Sequence, residues 1–333
     1  MPDQPDHLQQ LCLHYELGNP LEAPVMVTGG LHHRMWGLAT SEGRFAVKQL
    51  AADLDLQLAD TVRHFDLTET VASQFASRGI PAVAALNKRG RFLHVVDSNG
   101  YLVYPWVEAS ALHREQIDRT HVACVAEMFA AMHQANVEVP GLSGEEYAVM
   151  DHETLEVLVS FAHSRNSSRV LELEQQLPVF RQIIRKQGNA AAFLAANTRV
   201  SHGDLDHKNV LWSPSDQPFI IDWESARRLN PTHEIVLEAL DWAGITLDFK
   251  EDLFDHIVSV YLRAGGTGEL DEVEAAFDCV LGDWLNWLMY NLGRSIDMED
   301  EQQRRIGNEQ VDHALATLLR LDRLVPRLLA KLR

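Results

Sequence analysis

From Val25 to about Val103, apolar positions come in short alternating runs broken by glycine and turn residues, whereas beyond Pro105 they recur at three- and four-residue intervals. The first pattern is that of strands with one covered face, the second that of amphipathic helices. In "APVMVTGGLHHRMWGLATSEGRFAVKQL" the order is a strand, a Gly29-Gly30 loop, a strand through Met35 to Thr40, a turn at Ser41 to Gly43 and a strand through Phe45 to Leu50, which predicts a β-meander. Residues 58–78 place Val62, Phe65, Val71, Ala72 and Phe75 along a helix that Gly79 and Pro81 close. Two more strands, "RFLHVVDS" and "YLVYPWV", flank the turn residues Ser98, Asn99 and Gly100.

In the second half, Val122, Val125, Ala126, Phe129 and Met132 define one buried helical face. A helical region from Glu153 to about Ala196 is interrupted by the polar stretch Ser164 to Arg169. The short strands "VLW" and "FIIDW" are joined by the turn "SPSDQP". From His233 the chain is helical again, and Leu315, Leu318, Val325, Leu328 and Leu332 are expected to point inward. There is no internal repeat. The expected fold class is α+β: a small antiparallel β lobe over residues 1–103, a hinge at 104–110 and a larger helical lobe over 111–333.

Charge narrows the partners. With 29 basic and 48 acidic side chains the formal charge is −19, which repels polyanions and the anionic membrane face and attracts cationic small molecules. Nucleic acid and membrane are therefore not expected as partners, and monomer and dimer are both left open. Cys12, Cys124 and Cys279 lie too far apart for a zinc knot or a disulfide framework. The opening "MPDQPDHLQQ" is acidic and polar where a signal peptide would be basic and then apolar, and no apolar run approaches the roughly 18 residues of a membrane helix. A cytoplasmic location is expected.

Candidate chemistry concentrates in "SHGDLDHKNVLW" at 201–212. Asp204, an asparagine five residues later at Asn209, and Asp222 at the end of the next apolar strand supply two carboxylates and an amide oxygen. Phosphoryl transfer needs such a set: one carboxylate to orient and deprotonate a hydroxyl, and hard oxygen ligands for the magnesium ion that offsets phosphate charge. The cation that would grip the phosphates is Lys48, ending "FAVK", with Glu69 in the following helix as its expected partner and Asp66 competing for it.

These segments resemble the aminoglycoside phosphotransferase and choline kinase-like family, small-molecule kinases with the bilobal protein kinase-like architecture. "HGDLDHKN" is similar to that family's H-G-D-x-x-x-x-N loop, "IIDWESA" to its I-D-W-E metal strand, "YLVYPWVEAS" to the segment linking the lobes, and "TETVASQFASRGIPAV" to its first large helix and G-x-P turn. The resemblance covers about residues 25–245. It implies a kinase in which Asp204 is the catalytic base, Asn209 and Asp222 hold Mg2+, and Lys48, aligned by Glu69, grips the α- and β-phosphates of ATP or GTP. It implies further that Gly29 and Gly30 approach the phosphates and that Tyr104, Pro105, Trp106 and Val107 cover the base. Family acceptors include aminoglycosides, macrolides, choline, homoserine and amino sugars, so both antibiotic resistance and a metabolic role are consistent with it. Glu234, Glu238 and Asp241, three and four residues apart, share one helical face that is expected either to meet an amino-bearing acceptor or to be a solvated charged face.

The chain departs from the pattern in places. "TGGLHHRMW" lacks a full G-x-G-x-x-G, Asp206 stands where protein kinases carry a lysine, and Lys208 either substitutes for that lysine or faces solvent. His202 is expected to shape its loop, His32 and His33 to face solvent, and Trp284, Trp287 and Leu288 to be helix core. Two other classes remain at this point. "HGDLDH" differs at one position from a zinc hydrolase signature, and a kinase-like fold can serve as an inactive binding module.

Overall fold

Alternation of side chains in the first half builds a five-stranded antiparallel sheet in the computed structural model, which describes residues 4–27, 33–144, 147–165, 169–297 and 300–332. Its strands are β1 (Val25–Val27), β2 (Arg34–Thr40), β3 (Gly43–Gln49), β4 (His94–Val96) and β5 (Asn99–Pro105), in the order β1-β2-β3-β5-β4. Helix α1 (Gln4–Tyr15) covers one face, packing Leu8, Leu11 and Cys12 against Leu38, Val47 and Val103. Helix α2 (Ala59–Ala76) belongs to the other, where Phe65 joins Leu50, Phe92 and Leu102. Because faces alternate along a strand, Val47 lies under α1, while Lys48 pairs in register with Leu102 on the α2 side. Helix α1 was not expected, although Leu8, Leu11 and Cys12 carry its spacing.

The chain divides into two compact units, Met1–Glu115 with Ala135–Ser143 and Val200–Arg227, and Gln116–Gln134 with Gly144–Arg199 and Arg228–Arg333. Residues 200–227, which the sequence groups with the helical half, thus pack with the N-terminal strands. This segment opens at β7 (Arg199–Ser201) and closes at β10 (Arg227–Leu229), and it contains β8 (Val210–Trp212) and β9 (Pro218–Ile220). Strand β8 lies between β9 and the two-residue β6 (Ser110–Ala111). Two backbone bonds stitch β9 to the turn after α2: Ile220 N–H donates to Pro81 O at 2.8 Å, and Val83 N–H donates to Ile220 O at 2.8 Å.

The second unit is helical: α3 (Arg119–Ala135), α4 (His152–Ser164), α5 (Val170–Leu194), α6 (Pro231–Trp242), α7 (Glu251–Arg263), α8 (Val273–Asp297) and α9 (Glu301–Leu332). In α9, Val311, Ala314, Leu318, Leu321, Val325 and Leu328 are buried at alternating three- and four-residue steps, a narrow seam of coiled-coil type. Leu332, expected inside, is half-buried. No helix among the described residues is long and apolar enough to cross a membrane.

Each unit buries a carboxylate. In the first, Glu69 of α2 accepts from Tyr104 Oη at 2.6 Å and from Ala85 N–H at 2.7 Å. Burial pushes its carboxyl up to about 7, against the pull of those two bonds. In the second, Glu234 of α6 sits 2.6 Å from His133 Nε2 in α3, and His133 Nδ1 lies 2.8 Å from Tyr261 Oη in α7. Both side chains are essentially inaccessible, at 0% and 1% for His133 and Glu234.

The native state holds the Glu69 proton to higher pH than the unfolded chain, so this group's contribution to stability is greatest below its ordinary value of 4.5 and declines as pH rises to about 7. Glu69→Gln removes the titration, and relative to the unsubstituted protein the variant gains about 3 kcal/mol between those limits in urea unfolding; a constant difference would contradict the assignment. Glu234→Ala strands a buried histidine and lowers stability by about 3–5 kcal/mol, while Glu234→Gln, which still offers His133 an acceptor, costs less. Chemical denaturation of both variants checks the order.

Candidate active site

The loop leading to Asp204 is built on backbone contacts. His202, fully buried, contacts both sides of the loop: its Nδ1 accepts from Asp204 N–H at 3.3 Å, which leaves the ring hydrogen on Nε2, and Nε2 donates to Ile221 O at 2.9 Å. With both ring nitrogens engaged, His202 is a brace and not a zinc ligand. Gly203 has φ +78°, and a Cβ there would lie 2.5 Å from Ser225 O, so the turn requires glycine twice over. The Asp204 side chain emerges exposed. Asn209 Nδ2 donates to Asp204 O at 2.7 Å and to Asp204 Oδ2 at 3.3 Å, while Asn209 O accepts from Ile221 N–H at 3.0 Å. Asp204, Asn209 and the approach to Asp222 are thereby brought together.

Asp222 follows β9 in the left-handed region, at φ 63° and ψ 60°, a conformation that costs a non-glycine residue free energy. It turns the chain so that Asp222 and Glu224 both reach Lys48. The Lys48 Nζ donates to Asp222 Oδ1 at 2.7 Å and to Glu224 Oε2 at 2.8 Å. Burial opposes the charge on Lys48, yet the two carboxylates outweigh it and hold the ammonium above the usual lysine value. Glu224 itself is opposed by burial, but a hydrogen bond from His33 and the charge of Lys48 bring it down to about 2.

The expected Lys48–Glu69 pair is corrected by this geometry. Among the described residues the ion pairs of Lys48 run to Asp222 and Glu224. Glu69 faces the same side of the sheet but is occupied by Tyr104 and Ala85, and with its carboxyl raised to about 7 it is a weak counter-ion at neutral pH. The competitor Asp66 is engaged elsewhere, by Arg91 and by the N–H groups of Phe92 and Leu93. His33, expected in solvent, is another correction: its side chain is 11% exposed and lies 3.0 Å from Glu224 Oε2. Glu224, inside "IIDWESA", and the histidines His33 and His64 were missed as site residues. The position of Glu224 two residues after Asp222 was the available signal.

Gly29 and Gly30 lie outside the described residues. At the hinge, Trp106 N–H donates to Arg44 O at 3.1 Å, so the neighbouring Phe45–Pro105 pair is of the non-hydrogen-bonded type and the Pro105 carbonyl points away from β3. The preceding outward carbonyl, Val103 O, is taken by Leu86 N–H at 2.7 Å. Trp106 packs its ring on Gly37 and beneath the Arg44 guanidinium, and Val107 O accepts from Ala109 N–H. Tyr104 turns its hydroxyl inward to Glu69, where burial and the neighbouring carboxylate raise the phenol well above its ordinary value.

The residues fit a hard divalent cation. Asn209 commits its NH2 to Asp204, which leaves its amide oxygen as the group's acceptor atom, and Asp222 spends Oδ1 on Lys48 while remaining 39% exposed. Two protein oxygens of this type, completed by water and phosphate oxygens, are what magnesium takes. Lys208, 68% exposed, pairs with Asp206. In the second unit, the carboxylates expected to face an acceptor are corrected: Glu234 and Glu238 are 1% and 3% exposed, and Asp241 is half-buried. Helix α6 is covered on nearly every side, and Glu234 is hydrogen-bonded to His133 at 2.6 Å. Of the α8 cluster expected in the core, Leu288 is buried and Trp284 half-buried, while Trp287 is 43% exposed and stacks on Tyr290.

Comparison with known proteins bears on the fold and on the family. No curated protein matches the sequence. In structure the chain is similar to a spectinomycin phosphotransferase solved with ADP and spectinomycin, with a TM-score of 0.68 at 12% identity over 95% of this chain and 99% of the other. It is similar to an amicoumacin kinase solved with AMP-PNP, Ca2+ and its antibiotic, at 0.67 and 11% identity over 94% and 93%. A choline/ethanolamine kinase family protein from Mesorhizobium loti gives 0.60 and 16% over 95% and 98%. These likenesses establish the kinase-like α+β fold. A family model matches residues 26–276, well over half of the chain, and on that match the protein belongs to the phosphotransferase enzyme family.

Proposed function

We propose that this phosphotransferase moves the γ-phosphate of ATP or GTP to a hydroxyl of a small molecule bearing an amino or ammonium group, and that it does so in the cytoplasm. The observation that carries the reading is the 2.7 Å bond between Lys48 Nζ and Asp222 Oδ1, which joins a strand lysine to a carboxylate 174 residues away, beside Asn209 and Asp204. Asp204, exposed and steadied by the Asn209 amide, orients the acceptor hydroxyl and takes its proton. Asn209 and Asp222 would hold Mg2+, which when bound offsets charge on the β- and γ-phosphate oxygens. Lys48 holds the α- and β-phosphates. The base lies against Tyr104 to Val107, with the Pro105 carbonyl and the backbone at Val107 offered to its edge.

The acceptor class is supported by charge: a net charge of −19 favours cationic ligands. This chemistry is shared by antibiotic acceptors and by a choline or amino-sugar type of metabolic acceptor, and the likeness to a choline/ethanolamine kinase family protein favours keeping the metabolic reading beside the first.

A nucleotide-consumption screen of the purified protein against aminoglycosides, spectinomycin, macrolides, peptide antibiotics, choline, ethanolamine and amino sugars tests the proposal, with ATP and GTP run in parallel. Acceptor-dependent consumption is expected with at least one amino-bearing compound, and Asp204→Ala lowers its turnover by about 100-fold or more. Undiminished turnover in that variant would remove Asp204 from the chemistry.

A further inference from the structure

We infer that the hinge reads an adenine base and is closed to guanine, so that ATP and not GTP is the phosphoryl donor. The inference rests on the nucleotide site proposed above and deepens it by naming the base. Every residue that carries it lies in the first compact unit.

A backbone reads a purine edge through the order of its donors and acceptors, so the uncommitted groups between Pro105 and Ala109 are the ones that count. Along an extended chain the N–H and C=O of one residue share a side, and that side changes from residue to residue. Trp106 N–H donates to Arg44 O at 3.1 Å and so faces β3. Pro105 and Val107 therefore turn their polar groups the opposite way. Proline has no N–H, which leaves its carbonyl as a lone acceptor. Strand β4 pairs with β5 only from Asn99 to Tyr101 and leaves that carbonyl uncovered. Among the described residues Pro105 O has no donor and Val107 N–H no acceptor. The order on offer is an acceptor, then a donor two residues later.

Adenine matches that order, with its N6 amine as donor and N1 as acceptor. Guanine inverts it: O6 accepts, while N1–H and the N2 amine donate. Set against Pro105 O and Val107 N–H, guanine places oxygen against oxygen and N–H against N–H. The alternative is a slide of one step along the hinge, with O6 on Val107 N–H and the guanine donors on Val107 O. That second register is shut in this chain. Val107 O accepts from Ala109 N–H at 3.0 Å, a tight γ-turn that bends the carbonyl back on its own chain. The turn is held from both ends. Glu108 at its centre accepts from Trp106 Nε1 at 2.9 Å and pairs with Arg44 of β3, and Ser110 just beyond it enters β6 opposite Trp212.

The test is calorimetric titration of the full-length chain, with Mg2+ present, by ATP, GTP, inosine triphosphate and 2-aminoadenosine triphosphate. Inosine carries the guanine O6 and N1–H without the N2 amine, whereas 2-aminoadenosine carries that amine on an adenine edge. ATP and 2-aminoadenosine triphosphate are expected to bind alike, and GTP and inosine triphosphate about 100-fold more weakly, because a hinge donor and a hinge acceptor both go unpaired against them. Inosine triphosphate binding as tightly as ATP would overturn the inference. So would weak binding of both amine-bearing nucleotides alone, which assigns the discrimination to bulk at C2. Ala109→Pro removes the N–H that occupies Val107 O and opens the second register, so GTP and inosine triphosphate gain about tenfold while ATP is unchanged. No gain in a variant that unfolds like the unsubstituted chain removes the turn as the cause and overturns the closure to guanine. Should Ala109→Pro fail to fold, the four nucleotides on the unsubstituted chain decide. Failure of all four to bind is a separate result, which sinks the nucleotide site and this inference with it.

Discussion

An ammonium group on the α2-facing side of a β-sheet, matched by two carboxylates 174 and 176 residues further along the chain, is the constraint around which the first unit is organised. Lys48 is 6% exposed, and a buried ammonium persists only where opposite charge and hydrogen bonds replace its water. Three features of the fold meet that requirement. Alternation along β3 turns Lys48 away from the α1 side. The bonds of Ile220 to Pro81 and Val83 bring β9 alongside the turn after α2. The left-handed backbone at Asp222 then presents Asp222 and Glu224 to the same nitrogen.

Much of this was legible in the sequence, because period-two and period-3.6 patterns are local. The strand ending in "FAVK", the helix over 59–76 and the spacing of Asp204, Asn209 and Asp222 all appear in the structure, and the charge set they bring together is the one the motifs suggested. Periodicity states which residues share a face; it does not state what covers that face. Glu69 does face inward, at 2% exposure, yet its partner is decided by Tyr104, 35 residues away on β5, whose hydroxyl reaches it first. Glu234 and Glu238 share a face of α6, but the surrounding helices bury it, and a histidine 101 residues earlier is what makes burial of Glu234 tolerable. Helix α1 escaped notice because its apolar positions are few and set among polar residues, so that its packing on Leu38, Val47 and Val103 exists only after the sheet has formed.

Two glutamates within reach of the Lys48 field are driven in opposite directions. Glu69 is raised to about 7 by burial, while Glu224 is lowered to about 2 because His33 and Lys48 overcome its burial. Pairs of titratable groups pushed apart in this way mark a division of labour. A partly protonated Glu69 accepts from Tyr104 and Ala85, and it ties α2 to the last residues of β5. An ionised Glu224 supplies the charge. The same residue type therefore does structural work at one position and electrostatic work at the other, and local environment alone separates them.

The loop around Asp204 shows how the free-energy cost of converging like charges is contained. Asp204 and Asp222 repel each other, and Asp222 in addition occupies a left-handed conformation that costs on the order of 1–3 kcal/mol. A flexible loop would relieve both by moving apart. It is prevented from doing so by bonds that do not involve the acidic side chains: His202 to Ile221 O, Ile221 N–H to Asn209 O, and a glycine at 203 whose replacement would clash with Ser225 O. Lys48 then offsets one of the two charges, and the Asn209 amide donates to the other. Because the framework is neutral and mostly backbone, its shape does not depend on the charges of the two carboxylates it holds.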